Sequence, residues 1–166
     1  MPIKAALSEA EYLRTSFPDL DREFLDGEVI ERSMPDSGHS WCQGALVALF
    51  WKLQKSSRLF GMPELRLRVR PGRYMIPDVS VFWPDRPAVA VPDTPPLIAI
   101  EILSPDDRMS DVRDKFEEYA EWGVPHIWLV DPHRKIFYLF KDGLHEVKSL
   151  AVEEVSLTVS PGDIFE

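Results

Sequence analysis

The stretch "LIAIEILSPDD", residues 97–107, decides the fold, because an apolar run on both faces of an extended chain carries Glu101 between Ile100 and Ile102. A strand of that kind belongs in the interior of a sheet covered on both sides. An ionised carboxylate buried there without a partner costs several kcal/mol even after relaxation. Glu101 therefore calls for a cation.

The neighbouring segment "YMIPDVSVFW", residues 74–83, reads as a second core strand, with Asp78 directly after Pro77. Alternation puts Asp78 on one face with Ser80 and Phe82, and Glu101 on one face with Leu97, Ala99 and Leu103. Paired neighbours could bring the two carboxylates together. Like charges at that range raise one pKa unless a cation sits between them. Two plainer readings stand beside this one: Asp78 closing an Asx-type turn after proline, and Glu101 in a salt bridge with an arginine of "RLRVR".

Downstream, "SDVRDKFEEYAEWGVP", residues 110–125, has the marks of a helix. Ser110 suits the N-cap, Asp111 the first turn, Gly123 the stop, and Pro125 follows. At about 100° per residue, Val112, Phe116, Tyr119 and Ala120 form the buried stripe. Lys115 falls between Tyr119 and Trp122, aimed along the sheet, while Arg113, Asp114, Glu117 and Glu121 face water. Such a lysine either snorkels outward or meets a buried anion.

Outward from this centre, Ser8 and Glu11 form a capping box opening a short helix over "EAEYLRT". Asp26-Gly27 within "REFLDGEVIERS" is a tight hairpin signal. Cys42, Ala45, Leu46, Leu49, Phe50 and Leu53 recur at helical spacing from His39 to Ser57. In "ELRLRVR", Leu65, Leu67 and Val69 alternate with Arg66, Arg68 and Arg70, either a phosphate-contacting ridge or the wet face of an edge strand. "WPDRPAVAVPDTPP" is a proline-punctuated loop. "HIWLV" and "KIFYLF" are strands joined by "DPHR", their aromatics packing in the core or across strands, or burying a subunit interface. Short strands follow around "DGLHEV" and "VEEVSLTV". The order of elements predicts a mixed α/β sheet with helices packed on it.

The chain has 166 residues, 45% hydrophobic and 28% charged, which fits one globular domain. No apolar run approaches a membrane span, and "MPIKAALSEAEYL" reaches Ser and Glu before a signal-peptide core could form. A cytoplasmic protein is expected. The single cysteine, Cys42, excludes an intramolecular disulfide framework and a cysteine-based zinc site, and is expected in the core. A net charge of -9 argues against a broadly basic nucleic-acid surface and is compatible with a site for a hard divalent cation. Ser104 lacks the glycine-flanked elbow of an acyl-transfer nucleophile, and is expected to cap the turn before Asp107.

Taken together, "PDVSV", "IEILSP" and "DKFEEYAEWGVPHIWLVDP" follow the pattern E-x-x-S-P, K-x-x-x-Y, G-V-P and W-x-V-D-P. From Arg22 to Pro132 the chain resembles the Uma-type restriction endonucleases, a branch of the PD…(D/E)xK nuclease superfamily. The resemblance implies an α/β, restriction endonuclease-like fold: a single domain, residues 1–166, with a central mixed β-sheet flanked by helices. It implies a metal-dependent endonuclease that hydrolyses phosphodiester bonds in nucleic acid, DNA being the expected substrate. Asp78, Glu101 and the backbone carbonyl of Ile102 would hold Mg2+ or Mn2+. The superfamily lysine two positions after Glu101 is replaced by Leu103, and its counterpart is Lys115 on the following helix. Asp78, Glu101 and Lys115 are thus the catalytic candidates, with Glu28 and His39 behind them, and a homodimer is expected. The rival reading is a noncatalytic nucleic-acid or protein-interaction module of the same fold.

Overall fold

The computed structural model describes residues 6–166. The expectation about the extreme N-terminus rests in part on Met1–Ala5, which lie outside that range. In chain order the elements are α1 (Glu9–Arg14), β1 (Glu23–Leu25), β2 (Glu28–Ile30), α2 (Ser37–Ser57), β3 (Phe60–Pro63), β4 (Leu67–Arg70), β5 (Arg73–Met75) and β6 (Val79–Phe82). Then come β7 (Ile98–Ile102), α3 (Met109–Trp122), β8 (His126–Asp131), β9 (Ile136–Phe140), β10 (Leu144–Val147), β11 (Leu150–Val152), β12 (Leu157–Val159) and α4 (Pro161–Phe165).

The principal sheet has the order β10-β9-β8-β7-β6-β3. Only β7 and β8 run parallel, joined through α3, and the other pairs are antiparallel. This is the mixed sheet with flanking helices that the sequence predicts. A smaller sheet, β2-β1-β5-β4, stands beside it, and β11-β12 form a hairpin.

Local chemistry accounts for the boundaries. The Ser8/Glu11 capping box opens α1. Asp26 and Gly27 both take positive φ, 47° and 96°, as a two-residue hairpin turn between β1 and β2 requires. α2 starts slightly before His39 because the Asp36 carboxylate accepts the His39 N–H at 2.9 Å. Gly123, at φ 103°, ends α3 and donates its N–H to the Tyr119 and Ala120 carbonyls.

Four sequence expectations need correction. "YMIPDVSVFW" is two strands in two sheets, because Pro77 has no N–H to give a ladder and the chain crosses over at Ile76–Asp78. β3 is absent from the sequence reading because "FGMP" lacks the β-branched pattern. Ser110 lies inside α3, whose N-cap position is Arg108 without a side-chain bond. Ala120 is exposed, since the buried stripe is centred nearer Lys115 and Tyr119 than Val112 and so excludes it.

The principal sheet is covered on both faces. Val79, Val81, Ile98, Ile100, Ile102, Trp128 and Val130 pack with Cys42, Leu46 and Phe50 of α2 and Ile164 of α4. Ala99, Ile127 and Leu129 pack under Phe116 and Tyr119 of α3. Trp128 and Phe137 are fully buried and Phe140 meets Phe116 edge-on at 5.6 Å, so these aromatics serve the chain's own core. Burial pushes the Cys42 thiol up to about 11, as expected of a core cysteine. No helix among the described residues is long and apolar enough to cross a membrane.

Candidate active site

β6 and β7 pair with Val79 opposite Ile100 and Ser80 opposite Ala99. One step further, the same register sets Asp78 beside Glu101, on the α3 face of the sheet. Asp78 Oδ2 accepts the Ile102 N–H at 2.7 Å and lies 3.2 Å from His39 Nε2. Asp78 Oδ1 accepts from Arg32 Nη2 at 3.1 Å. Arg32 also grips Glu64, and the Gln43 amide donates to Glu64 Oε1 at 2.7 Å and to the Asp78 carbonyl at 2.9 Å. Burial opposes a charge on Asp78. His39, Arg32 and the Ile102 N–H outweigh it and hold the carboxyl below the usual carboxylate range. Burial likewise opposes the charge on His39, and Asp78 raises its pKa in spite of that.

Glu101 Oε1 accepts two donors, the Tyr119 hydroxyl at 2.6 Å and Lys115 Nζ at 2.7 Å. Burial pushes this carboxyl up to about 7, opposed by Lys115 and assisted by the charges of Asp78 and Glu23. The same ammonium lies 2.8 Å from Glu23 Oε1, the oxygen that also accepts the Ile76 N–H at 2.8 Å. Burial works against the charge on Lys115, yet Glu101 and Glu23 together hold its pKa above the ordinary value. Arg73 lies 3.7 Å from Glu23 and forks onto Glu118 of α3 at 2.7 and 2.9 Å. An ion-pair chain thus ties β1, β5 and α3 together beneath the site.

Glu23, Arg32, Arg73 and Glu118 line one open cavity of about 360 Å³, with Asp106, Asp107, Asp111 and Asp114 also among its lining residues. Asp78, Glu101, Lys115 and His39 all border it. Glu28 does not: it is exposed on β2, away from the lining. The turn after β7 is closed by Asp107, whose carboxylate accepts the Ser104 N–H at 2.7 Å and the Ser33 hydroxyl at 2.6 Å. The capping roles of Ser104 and Asp107 are therefore reversed relative to expectation.

Glu101 takes no partner from "RLRVR". Arg66 pairs with Asp21 at 2.6 Å and lies over the Tyr12 ring, Arg68 pairs with Glu9 at 3.5 Å, and Arg70 with Asp26 at 3.1 Å. These arginines form neither a free phosphate ridge nor a merely wet face. Three site residues escape the sequence reading. Tyr119 had a usable signal, one helical turn beyond Lys115 on the same stripe. Glu23 had a weaker one, an acid beside a buried Phe24 in a strand. Arg32 follows β2 in an irregular segment, and no periodicity marks it.

Among the described residues no group of three or more His, Cys, Asp or Glu side chains is arranged to hold a metal. Two adjacent carboxylates nonetheless suit a hard divalent cation, which commonly takes one or two protein carboxylates and keeps several waters, whereas Ile102 is buried and is not among the residues lining the cavity. Burial is the main cause of the raised Glu101 pKa, and the neighbouring Asp78 charge adds to it.

A family model described as "Uma2: Putative restriction endonuclease" matches residues 9–166. The chain is similar to the crystal structure of "a putative nuclease belonging to DUF820 from Anabaena variabilis ATCC 29413", with a TM-score of 0.80 and 23% identity over 96% of this chain and 97% of that one. That likeness is one of fold. A fainter one, TM-score 0.41 and 18% identity, joins 74% of this chain to 10% of a chain in a cryoEM structure of a DrdV-DNA complex. No curated protein matches.

Proposed function

Because the chain belongs to the Uma2 family and has a restriction endonuclease-like fold, we propose that it is a single-domain, divalent-metal-dependent endonuclease cleaving phosphodiester bonds in nucleic acid, DNA being the substrate. The observation that carries this reading is the meeting of Asp78, Glu101 and the Lys115 amine at one open cavity. Asp78, Glu101 and the Ile102 carbonyl would hold Mg2+ or Mn2+. When bound, such an ion supplies Lewis-acid polarisation of a phosphate and acidified water.

The chain's own residues divide the remaining work. Lys115, anchored by Glu101 and Glu23, presents a cation to the charge that builds on phosphate oxygens and can orient an attacking water. Tyr119 fixes the Glu101 oxygen that Lys115 also uses. His39 and Arg32 fix the two oxygens of Asp78 from the α2 side and from the segment after β2. Both carboxylates are oriented before substrate arrives, which limits reorganisation during the reaction.

A second reading has its own support: the lining aspartates and the net charge of -9 suit a noncatalytic interaction module better than a surface that grips a polyanion. Cleavage of supercoiled plasmid with Mg2+ or Mn2+, by wild type and by Glu101→Gln and Lys115→Ala, separates the two. The nuclease reading expects metal-dependent nicking that falls by about a hundredfold or more in each variant. Equal cleavage by wild type and Lys115→Ala removes the lysine from the mechanism, and no cleavage of any nucleic acid favours the module.

A further inference from the structure

Among the arginines and lysines, Arg32, Arg73, Arg108 and Lys115 line the cavity. Three of them are committed to the chain's own carboxylates: Arg32 to Glu64 and Asp78, Arg73 to Glu118, and Lys115 to Glu23 and Glu101. Arg108 differs. Among the described residues its guanidinium makes no ion pair and no hydrogen bond, although Asp106, Asp107 and Asp111 all lie within three positions of it in the chain. It is exposed and occupies the N-cap position of α3, where it gives the helix no side-chain bond. Stability does not favour it there, because Ser, Thr, Asp and Asn are the side chains that cap, and a cation at a helix N-terminus opposes the macrodipole. The fold gains nothing from this guanidinium, whose fork of N–H donors is left unused at the cavity.

We propose that Arg108 grips a backbone phosphate of the bound strand near the one that reacts, so that the site takes a nucleic-acid strand by more than one phosphate and not an isolated phosphoester. This rests on the nucleic-acid substrate of the nuclease reading. Arg108 and Lys115 are seven residues apart, about two helical turns, which sets them on one face of α3 at about 10 Å along the helix axis. Phosphates of one strand of duplex DNA follow one another at about 3.4 Å of axis. Cations at that separation address different phosphates. Lys115, beside Glu101, attends the reacting one, and Arg108 holds another further along the strand. A guanidinium fork matches two phosphate oxygens at once, which anchors a strand in position as well as attracting it. The acids of the rim narrow the choice. Asp106, Asp111 and Asp114 repel a polyanion, Asp111 from between the two cations, and among the described residues Arg108 is the one lining arginine or lysine without a carboxylate of its own.

Fluorescence anisotropy of labelled DNA, as a duplex and as a single strand, tests this on the full chain in Ca2+, a hard cation that takes oxygen ligands as Mg2+ does. Wild type, Arg108→Ala and Arg108→Lys are titrated between about 50 and about 200 mM salt. Arg108→Ala is expected to bind about tenfold or more weakly at the low end. Its slope of log affinity against log salt should be shallower by about 0.9 on the duplex or about 0.7 on the single strand, the share of one phosphate. Arg108→Lys should restore the slope, since the charge is kept, and only part of the affinity, since the fork is lost. Both variants should melt with wild type, the side chain being exposed and bonded to nothing in the fold. Cleavage of plasmid by wild type in Mg2+ or Mn2+ is read alongside. An unchanged slope in Arg108→Ala, whatever its affinity, overturns the proposal, and a wild type that still cleaves leaves the nuclease reading standing. A slope that depends on Arg108 in a wild type that cuts nothing supports the phosphate contact and overturns the nuclease reading instead. Failure of wild type to bind either DNA overturns the proposal.

Discussion

Lys115 Nζ lies 2.7 Å from Glu101 Oε1, although one residue comes from α3 and the other from the interior of β7. The ammonium is the partner that a carboxylate in so apolar a strand demands. It also completes the trio from which the nuclease reading proceeds, and the same oxygen takes the Tyr119 hydroxyl at 2.6 Å.

Replacing Lys115 with methionine keeps the unbranched apolar stem, one atom shorter, and removes the charge, leaving Glu23 and Glu101 without their shared cation. The cavity admits water to the site, so the loss of stability is expected to be about 1–3 kcal/mol, below the cost of breaking a fully enclosed pair. Urea denaturation measures it. Adding Glu101→Gln to Lys115→Met should recover part of the loss, because it removes the buried carboxylate left without its partner, and a double-mutant cycle measures the coupling.

Burial pushes Glu101 up to about 7 from 4.5, so the folded chain holds this proton more tightly than the unfolded chain. The sign follows: the contribution of this group is complete below its ordinary value and is lost as pH rises through about 7. Metal-free wild type should therefore lose stability relative to Glu101→Gln between about pH 5 and about pH 8, by up to about 3 kcal/mol. Denaturation of both proteins at the two pH values gives the comparison, and a difference that stays flat means Glu101 is already ionised at the lower pH.

Gly61 of β3 lies so close to α2 that an added Cβ would sit 2.8 Å from Phe50 Cβ. Phe50 is fully buried and has nowhere to move. Gly61→Ala is expected to cost about 1–3 kcal/mol through overpacking, read as a lowered midpoint of thermal or urea unfolding.

Strong local signals made much of the architecture legible. Capping at Ser8, the Asp26-Gly27 turn, the two-faced apolar run around Glu101 and the α3 periodicity each point to one structure. The split of "YMIPDVSVFW" between sheets was hidden because alternation continues through Pro77 while the ladder cannot. Within the site, Asp78, Glu101 and Lys115 are visible because charge stands out in apolar surroundings. Arg32 and Glu23 are not, because they reach the cavity from the hairpin and its exit by tertiary placement alone. The arginines of "RLRVR" show the converse: their spacing is visible, but their carboxylate partners in α1, Asp21 and the hairpin are fixed only by the fold.

In the proposed nuclease, Asp78, Glu101 and the Ile102 carbonyl would form one cation site beside Lys115. Anomalous diffraction from crystals soaked in Mn2+ tests it most directly. A peak is expected between the two carboxylates, absent in Glu101→Gln crystals soaked alike. Ordered Mn2+ elsewhere in the crystal with nothing between Asp78 and Glu101 would contradict it.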